Sequence, residues 1–184
     1  MMIRFFDVLL SLIILTIVIP LLVVVYLIGY FDLGSPLFSQ VRMGKDKKTF
    51  LLIKFRTMHL DTKSVPTHLV NKNAITKFGK FLRISKIDEL PQLWNVLKGN
   101  MSLVGPRPNL LTQKDVIFER EKLNVYSVKP GITGLAQINK IDMSAPKLLA
   151  ETDAKMVNDF SLVQYFKFIF LTIIRKILRI NYNN

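Results

Sequence analysis

The sequence predicts an α+β protein, mainly helical, that is inserted in a membrane by its N-terminus. Three observations carry that expectation. Residues 8–31 form an apolar run without a single charge, and about 20 such residues suffice to cross the hydrocarbon core of a bilayer. Two short β-favouring stretches, residues 38–41 and 49–55, flank the polar string Met43-Gly44-Lys45-Asp46-Lys47-Lys48, which is the pattern of a small β-hairpin. Residues 160–182 carry Leu162, Phe166, Ile169, Ile173 and Ile177 at helical spacing, interrupted by Lys167, Arg175, Lys176 and Arg179. A basic amphipathic helix of that kind lies in a membrane interface rather than crossing the bilayer. The alternative is an ordinary helix that turns one face to a core.

The apolar run is too long for a signal-peptide core and is followed by no small-residue cleavage pattern, so the mature protein is expected to keep it. Pro20 stands near its middle. A proline there removes one backbone hydrogen bond and crowds the preceding turn, which predicts a kink after Ile19. A kinked helix can still span the bilayer, or it can enter and leave by the same face. Arg4 precedes the run, whereas Arg42, Lys45, Lys47, Lys48, Lys54 and Arg56 follow it. Positive residues favour the cytoplasmic side, which puts the body of the protein there in either case. The division expected is a membrane-inserted segment, residues 1–31, and a cytoplasmic domain, residues 32–184.

Within that domain, Asp32-Leu33-Gly34-Ser35-Pro36 reads as a turn. Residues 59–73 are polar, with one proline and no period, and read as a long loop. His59 and His68 in it have no metal-ligand spacing with other candidates. A helix is expected to start at Asp88, with Ser85 or Asp88 itself as its cap and Pro91 in the first turn, and to stop at Lys98-Gly99. Gly105-Pro106-Arg107-Pro108 is a stiff turn that holds an arginine between prolines. Lys129-Pro130-Gly131-Ile132-Thr133-Gly134 is a Gly-containing loop whose amides could hold an anion.

Charge narrows the chemistry. The 184 residues include 26 Lys and Arg against 13 Asp and Glu, a net charge of +13, and no cysteine. A disulfide framework and a thiolate metal site are excluded. In this basic setting the adjacent pair Asp88-Glu89 stands out, because neighbouring carboxylates repel unless a metal or cations compensate them. A phosphorylated substrate would bring both: its charge suits the Lys/Arg excess, and its usual Mg²⁺ suits carboxylate oxygens. The plain alternative is an acidic first turn of a helix. Neither GxGxxG nor GxxxxGK[ST] is present.

In order along the chain, a Pro-broken membrane helix, Lys54-Phe55-Arg56-Thr57-Met58, Arg83, Asp88-Glu89-Leu90-Pro91-Gln92-Leu93, Asn95-Val96-Leu97-Lys98-Gly99, Met101-Ser102-Leu103-Val104-Gly105-Pro106-Arg107-Pro108 and Pro130-Gly131-Ile132-Thr133-Gly134 make the chain resemble the bacterial sugar transferases, the small monotopic phosphoglycosyl transferases. The resemblance runs through nearly the whole chain. It implies transfer of a phosphosugar from a UDP-sugar to undecaprenyl phosphate, with release of UMP. It further implies that Asp88 is the nucleophile and carries the phosphosugar covalently, that Glu89 assists, and that Mg²⁺ is required. Lys54, Arg56, Arg83, Arg107 and Lys129, with Thr133, are the candidate phosphate contacts. Asp88, Glu89 and Asp153 are the candidate metal ligands. The re-entrant membrane mode, with a break at Ile19-Pro20, also comes from the resemblance. So does a place on the cytoplasmic face of the bacterial inner membrane, in a capsule, O-antigen or glycoprotein glycan pathway.

Three positions depart from the family pattern: Ile19 where serine is common before the membrane proline, Lys129 where arginine is frequent, and Leu135 where an aromatic is frequent. Two other function classes fit parts of the sequence. A membrane glycosyltransferase would give a simple glycosyl group and release UDP. A non-catalytic, basic, membrane-anchored binding protein would use the net charge alone. Nucleic acid is not the expected partner, because the aromatics lie in apolar runs instead of alternating with basic residues.

Overall fold

The computed structural model describes residues 2–60, 62 and 74–177. Most of the loop expected at residues 59–73, His68 included, and the end of the C-terminal basic segment lie outside the described residues.

Helix α1 (Met2–Leu33) is one 32-residue helix with Pro20 inside it, about 48 Å long at 1.5 Å per residue. Only 11% of its most apolar stretch is buried in the protein, so most of that surface needs an apolar environment from elsewhere. Its two ends nevertheless pack on the same body. Ile3, Phe6, Leu10, Ile14 and Leu15 lie against the main core. Leu22 and Val25 lie against Phe55 and Leu82. The other side of α1 is exposed along the whole length, from Phe5, Leu9 and Leu12 through Ile17 and Ile19 to Val24, Leu27 and Phe31. Asp7 ties down the N-terminal end: its Oδ1 accepts from the Ser102 hydroxyl, the Leu103 amide and the Tyr165 hydroxyl, each at 2.9 Å. Arg4 donates to the Val96 and Leu97 carbonyls, at the negative end of helix α3 (Gln92–Lys98), where a cation is favoured.

The hairpin is strands β1 (Leu37–Met43) and β2 (Thr49–Phe55), antiparallel with Leu37 opposite Phe55 and Met43 opposite Thr49. β1 is longer than the four residues expected. β2 buries Phe50, Leu52 and Phe55. A second sheet was not anticipated: β3 (Ser102–Val104) pairs in parallel with β4 (Gly131–Thr133). At Gly131 a Cβ would fall 2.0 Å from the Gly105 amide nitrogen, so these strands come together only because that residue has no side chain.

Helix α2 (Lys77–Ser85) is capped by Thr76, whose hydroxyl accepts from the Gly79 amide at 2.9 Å. The helix expected from Asp88 is instead a 3₁₀ turn, Ile87–Glu89, followed by α3. Pro91 is the reason. It has no N–H to give the Ile87 carbonyl, which accepts from Leu90 instead, so an α ladder cannot run through. Ser85 and Asp88 are not caps; the Ser85 hydroxyl donates back to the Phe81 carbonyl at 2.9 Å. Gly99 ends α3 at φ 87°, the left-handed stop expected there. Helices α4 (Lys114–Lys122), α5 (Leu135–Ile138), α6 (Pro146–Asn158) and α7 (Leu162–Ile177) follow among the described residues. α7 buries Tyr165 and Phe168 in the core and leaves Val163, Phe170 and Ile173 exposed.

Candidate active site

Lys86 closes α2 in the left-handed conformation, φ 62°. The chain therefore turns sharply, and the 3₁₀ turn presents Asp88 and Glu89 in sequence. Their environments differ. Asp88 is 6% exposed, and its Oδ1 is buried without a hydrogen-bond partner. Burial, and then the Glu89 charge, push its carboxyl above the usual range, against the pull of Lys54, Lys86 and Arg83. Burial also works against the Glu89 charge, but Arg107 and Lys86 outweigh it and hold that carboxyl below its usual value. The Arg107 guanidinium donates to Glu89 Oε1 at 3.0 Å, and Lys86 Nζ stands 3.8 Å from the same oxygen. Two neighbouring carboxylates are thus driven apart: one a stabilised anion, the other an under-solvated one that gains from a new electrophile or cation.

Lys54, on β2, is pushed down to about 8 by burial and then by Arg42, although Asp88 pulls the other way. Arg83, on α2, donates from Nε to the Thr57 hydroxyl at 2.8 Å and is electrostatically coupled to Asp88. Arg107 comes from the turn after β3. Lys54, Lys86, Glu89 and Arg107 line one cavity of about 500 Å³, together with Arg42, Gln92 and Lys140. That is large enough for a nucleotide-sized ligand.

The other candidates are placed elsewhere. Arg56 donates from Nε to the Ser35 carbonyl at 2.9 Å and stacks over Phe38, locking the turn after α1. Lys129 is close to Arg4 at the end of α3, for a Cβ on Gly99 would meet the two cations at 3.6 and 3.5 Å. The Thr133 hydroxyl bonds that of Thr172 at 2.6 Å, facing α7. Asp153 is fully buried against Arg120: Nη2 and Nε lie 2.7 and 3.0 Å from Oδ2. Arg120 reaches on to the Arg107 carbonyl at 2.8 Å, so this pair braces the arginine turn from behind. Ile19 and Pro20 are exposed on α1.

Sequence reasoning missed Arg42 as a cavity residue, having read it only as an orientation charge. The strand period carried the signal. Phe38, Gln40 and Arg42 alternate along β1, and the register puts them on one face with Lys54, Leu52 and Phe50. Asp7, just before the apolar run, was missed as well.

No group of three or more metal-ligating side chains occurs among the described residues. Magnesium does not need one, since it is usually held by one or two carboxylates together with substrate phosphates and waters. The orphaned Asp88 Oδ1 and the adjoining Glu89 meet that requirement.

Cations gathered around a cavity, on a body carrying an apolar helix, suit an anionic substrate met at a membrane surface. Comparison with known proteins makes this specific. The family model described as Bacterial sugar transferase matches residues 1–179. The "Uncharacterized sugar transferase EpsL" of Bacillus subtilis (strain 168) is 44% identical over 147 residues, covering 79% of this chain and 72% of that protein. The "Exopolysaccharide production protein PSS" of Rhizobium leguminosarum bv. phaseoli is 35% identical over 190 residues, 96% of this chain and 95% of that one. The "UDP-glucose:undecaprenyl-phosphate glucose-1-phosphate transferase" of Klebsiella pneumoniae is 38% identical over 184 residues, 94% of this chain. The match spans 39% of that longer relative. The chain belongs to the bacterial sugar transferase family.

Proposed function

We propose that the chain transfers a phosphosugar from a UDP-sugar to undecaprenyl phosphate and releases UMP, with Asp88 holding the phosphosugar between the two substrates. The observation that carries this reading is the split carboxylate pair beside a cation-lined cavity. An under-solvated carboxylate with an unpartnered oxygen is a ready nucleophile that needs no separate base. The name of the Klebsiella relative describes transfer of this kind to the same lipid carrier.

In the first step an Asp88 oxygen attacks the sugar-bearing phosphorus, the bond to the UMP oxygen breaks, and UMP leaves with the electron pair. In the second, an oxygen of the lipid phosphate attacks the same phosphorus and the Asp88 carboxylate is regenerated. Both steps bring anion to anion, so cations must offset the repulsion. Lys54 and Arg83 act on the Asp88 side, while Arg107 holds Glu89. Asp88 and Glu89 would hold Mg²⁺, which supplies further charge neutralisation when bound.

The membrane mode belongs to the same proposal. Both ends of α1 pack on one body, and its exposed apolar side runs the length of the helix on either side of Pro20. That arrangement supports a helix that enters and leaves by one face; Pro20 would then lie deepest, and the site would lie at the level of the lipid phosphate. The exposed apolar side chains of α7 are then interfacial, and the body faces the cytoplasm. Measuring released nucleotide across a panel of UDP-sugars with undecaprenyl phosphate tests the reaction. UMP is expected; UDP would mean simple glycosyl transfer and would overturn the reading.

A further inference from the structure

We propose that Arg42 binds the diphosphate of the nucleotide-sugar donor, as a fixed fork beside Lys54 and Arg107 in the cavity. The proposal rests on the transfer reading above, since that reading supplies the diphosphate. It is carried by the unmet bonding of this one guanidinium.

Arg42 lines the cavity and shares the inner hairpin face with Lys54, with only the Gln40–Leu52 pair between them. Two of its nitrogens are anchored: Nη1 donates to the Pro108 carbonyl at 3.2 Å and Nη2 to Gln40 Oε1 at 2.6 Å. Its Nε is buried and has no partner. A guanidinium has five N–H donors in a rigid plane, and a buried donor left unmet is costly. No carboxylate forms an ion pair with Arg42 or Lys54 among the described residues. Glu89 is already shared by Arg107 and Lys86. Among the described residues, the walls of the cavity carry Arg42, Lys54, Lys86, Arg107 and Lys140 against Glu89 and Asp142. The crowding is felt by the groups themselves: burial and then Arg107 push Arg42 down to about 10, and burial and then Arg42 push Lys54 down to about 8. A ligand with negative charge on two linked phosphates would relieve both, and each Arg42 Nη keeps one hydrogen beyond the one given to Pro108 or Gln40. The bond to the Pro108 carbonyl ties this fork to the turn that carries Arg107, so the two guanidiniums keep a set spacing. Arg56, a phosphate candidate by sequence, is turned away from the cavity, and Arg42 stands within it.

A lipid phosphate is also an anion, so the test must separate the two sources. The full-length protein in lipid nanodiscs is titrated with UDP, UMP and a short polyprenyl phosphate, as wild type, Arg42→Gln and Arg42→Lys. Wild type is expected to prefer UDP to UMP. Arg42→Gln should weaken UDP at least about tenfold, roughly the effect of one charge-assisted hydrogen bond, and flatten the UDP-over-UMP preference. Polyprenyl phosphate affinity should stay within about twofold of wild type. Arg42→Lys should recover part of the loss, because charge returns without the fork. A folded Arg42→Gln that binds UDP like wild type overturns the proposal. So does one that loses polyprenyl phosphate in place of UDP. If Arg42→Gln does not fold, wild type alone decides. Modification of Arg42 by phenylglyoxal, followed by peptide mass spectrometry, should be slowed by UDP and not by polyprenyl phosphate; absence of that protection overturns the assignment. The outcomes separate from those of the reaction itself. A protein whose Arg42 is protected by UDP but that releases no UMP with any donor contradicts the transfer reading only. One that releases UMP while UDP binding ignores Arg42 contradicts this proposal only.

Discussion

Breaking the Arg120–Asp153 pair from one side should destabilise the protein severely while leaving its need for magnesium unchanged. The side chains are 1% and 0% exposed, 2.7 Å apart. Burial pushes the Asp153 carboxyl up, opposed by the Arg120 charge and hydrogen bonds. Asp153→Asn keeps the shape and leaves the Arg120 charge buried without a counter-ion. Breaking such a pair from one side costs about 3–5 kcal/mol. For a domain of this size each kcal/mol lowers the melting temperature by about 2–4 °C, so a fall of roughly 6–20 °C is expected. The double substitution Arg120→Met with Asp153→Leu removes both charges and should recover most of the loss. Thermal unfolding of the nanodisc-bound protein reads the first effect, and a magnesium titration of UMP release reads the second. Sequence resemblance had placed Asp153 among the metal ligands. If Asp153→Asn melts within about 2 °C of wild type and needs about tenfold more Mg²⁺, Asp153 is a ligand and the bracing argument fails.

Three further outcomes follow from the geometry. The kcat/KM profile should decline on the alkaline side with a midpoint near 8, as Lys54 loses its charge. It should decline on the acid side above the ordinary carboxylate value, as Asp88 takes up a proton. Lys54→Arg should remove the alkaline limb; an unchanged limb in that variant assigns it to another group. Gly131→Ala should prevent folding, because its Cβ would meet the Gly105 nitrogen at 2.0 Å; a normal circular dichroism melt would show that the β3–β4 approach is adjustable. A cysteine placed at Met2 should resist a membrane-impermeant thiol reagent in intact cells, since both ends of α1 pack on one body; labelling from outside would mean a spanning helix.

Local signals were legible in the sequence, and signals that depend on distant partners were not. β2 could be read residue for residue because a short apolar, β-favouring run beside a polar turn is a local signal. The Gly99 stop and the arginine turn were legible for the same reason. β3 and β4 were not, since a three-residue parallel strand has no period of its own and exists only through its partner 29 residues away in the Ser102–Gly131 register. Asp88 and Glu89 stood out as a pair, but the helix expected to begin there starts only after Pro91, whose missing N–H leaves the pair in a 3₁₀ turn. At the site, Lys54, Glu89 and Arg107 come from segments the sequence had singled out, and they line the cavity together. Arg42 and Arg56 exchange places relative to expectation. Which basic residue faces inward is set by hairpin register and by an available carbonyl, Pro108 for Arg42 and Ser35 for Arg56. Asp7 was hidden by its position at the edge of an apolar run, where only the fold reveals Ser102 and Tyr165 as its partners.

The most direct measurement is the intact mass of the protein after incubation with UDP-sugar and Mg²⁺ and no lipid acceptor. The first step needs the donor alone, so the mass should rise by one phosphosugar, located at Asp88 by peptide analysis, and UMP should appear in matching amount. Asp88→Asn keeps the side-chain shape but has no anionic oxygen to attack with, and it should show neither. Adding undecaprenyl phosphate should then discharge the adduct. If no adduct forms and no labelled UMP exchanges into UDP-sugar, while turnover with lipid present is normal, the phosphosugar passes directly between the substrates, and Asp88 is not its carrier.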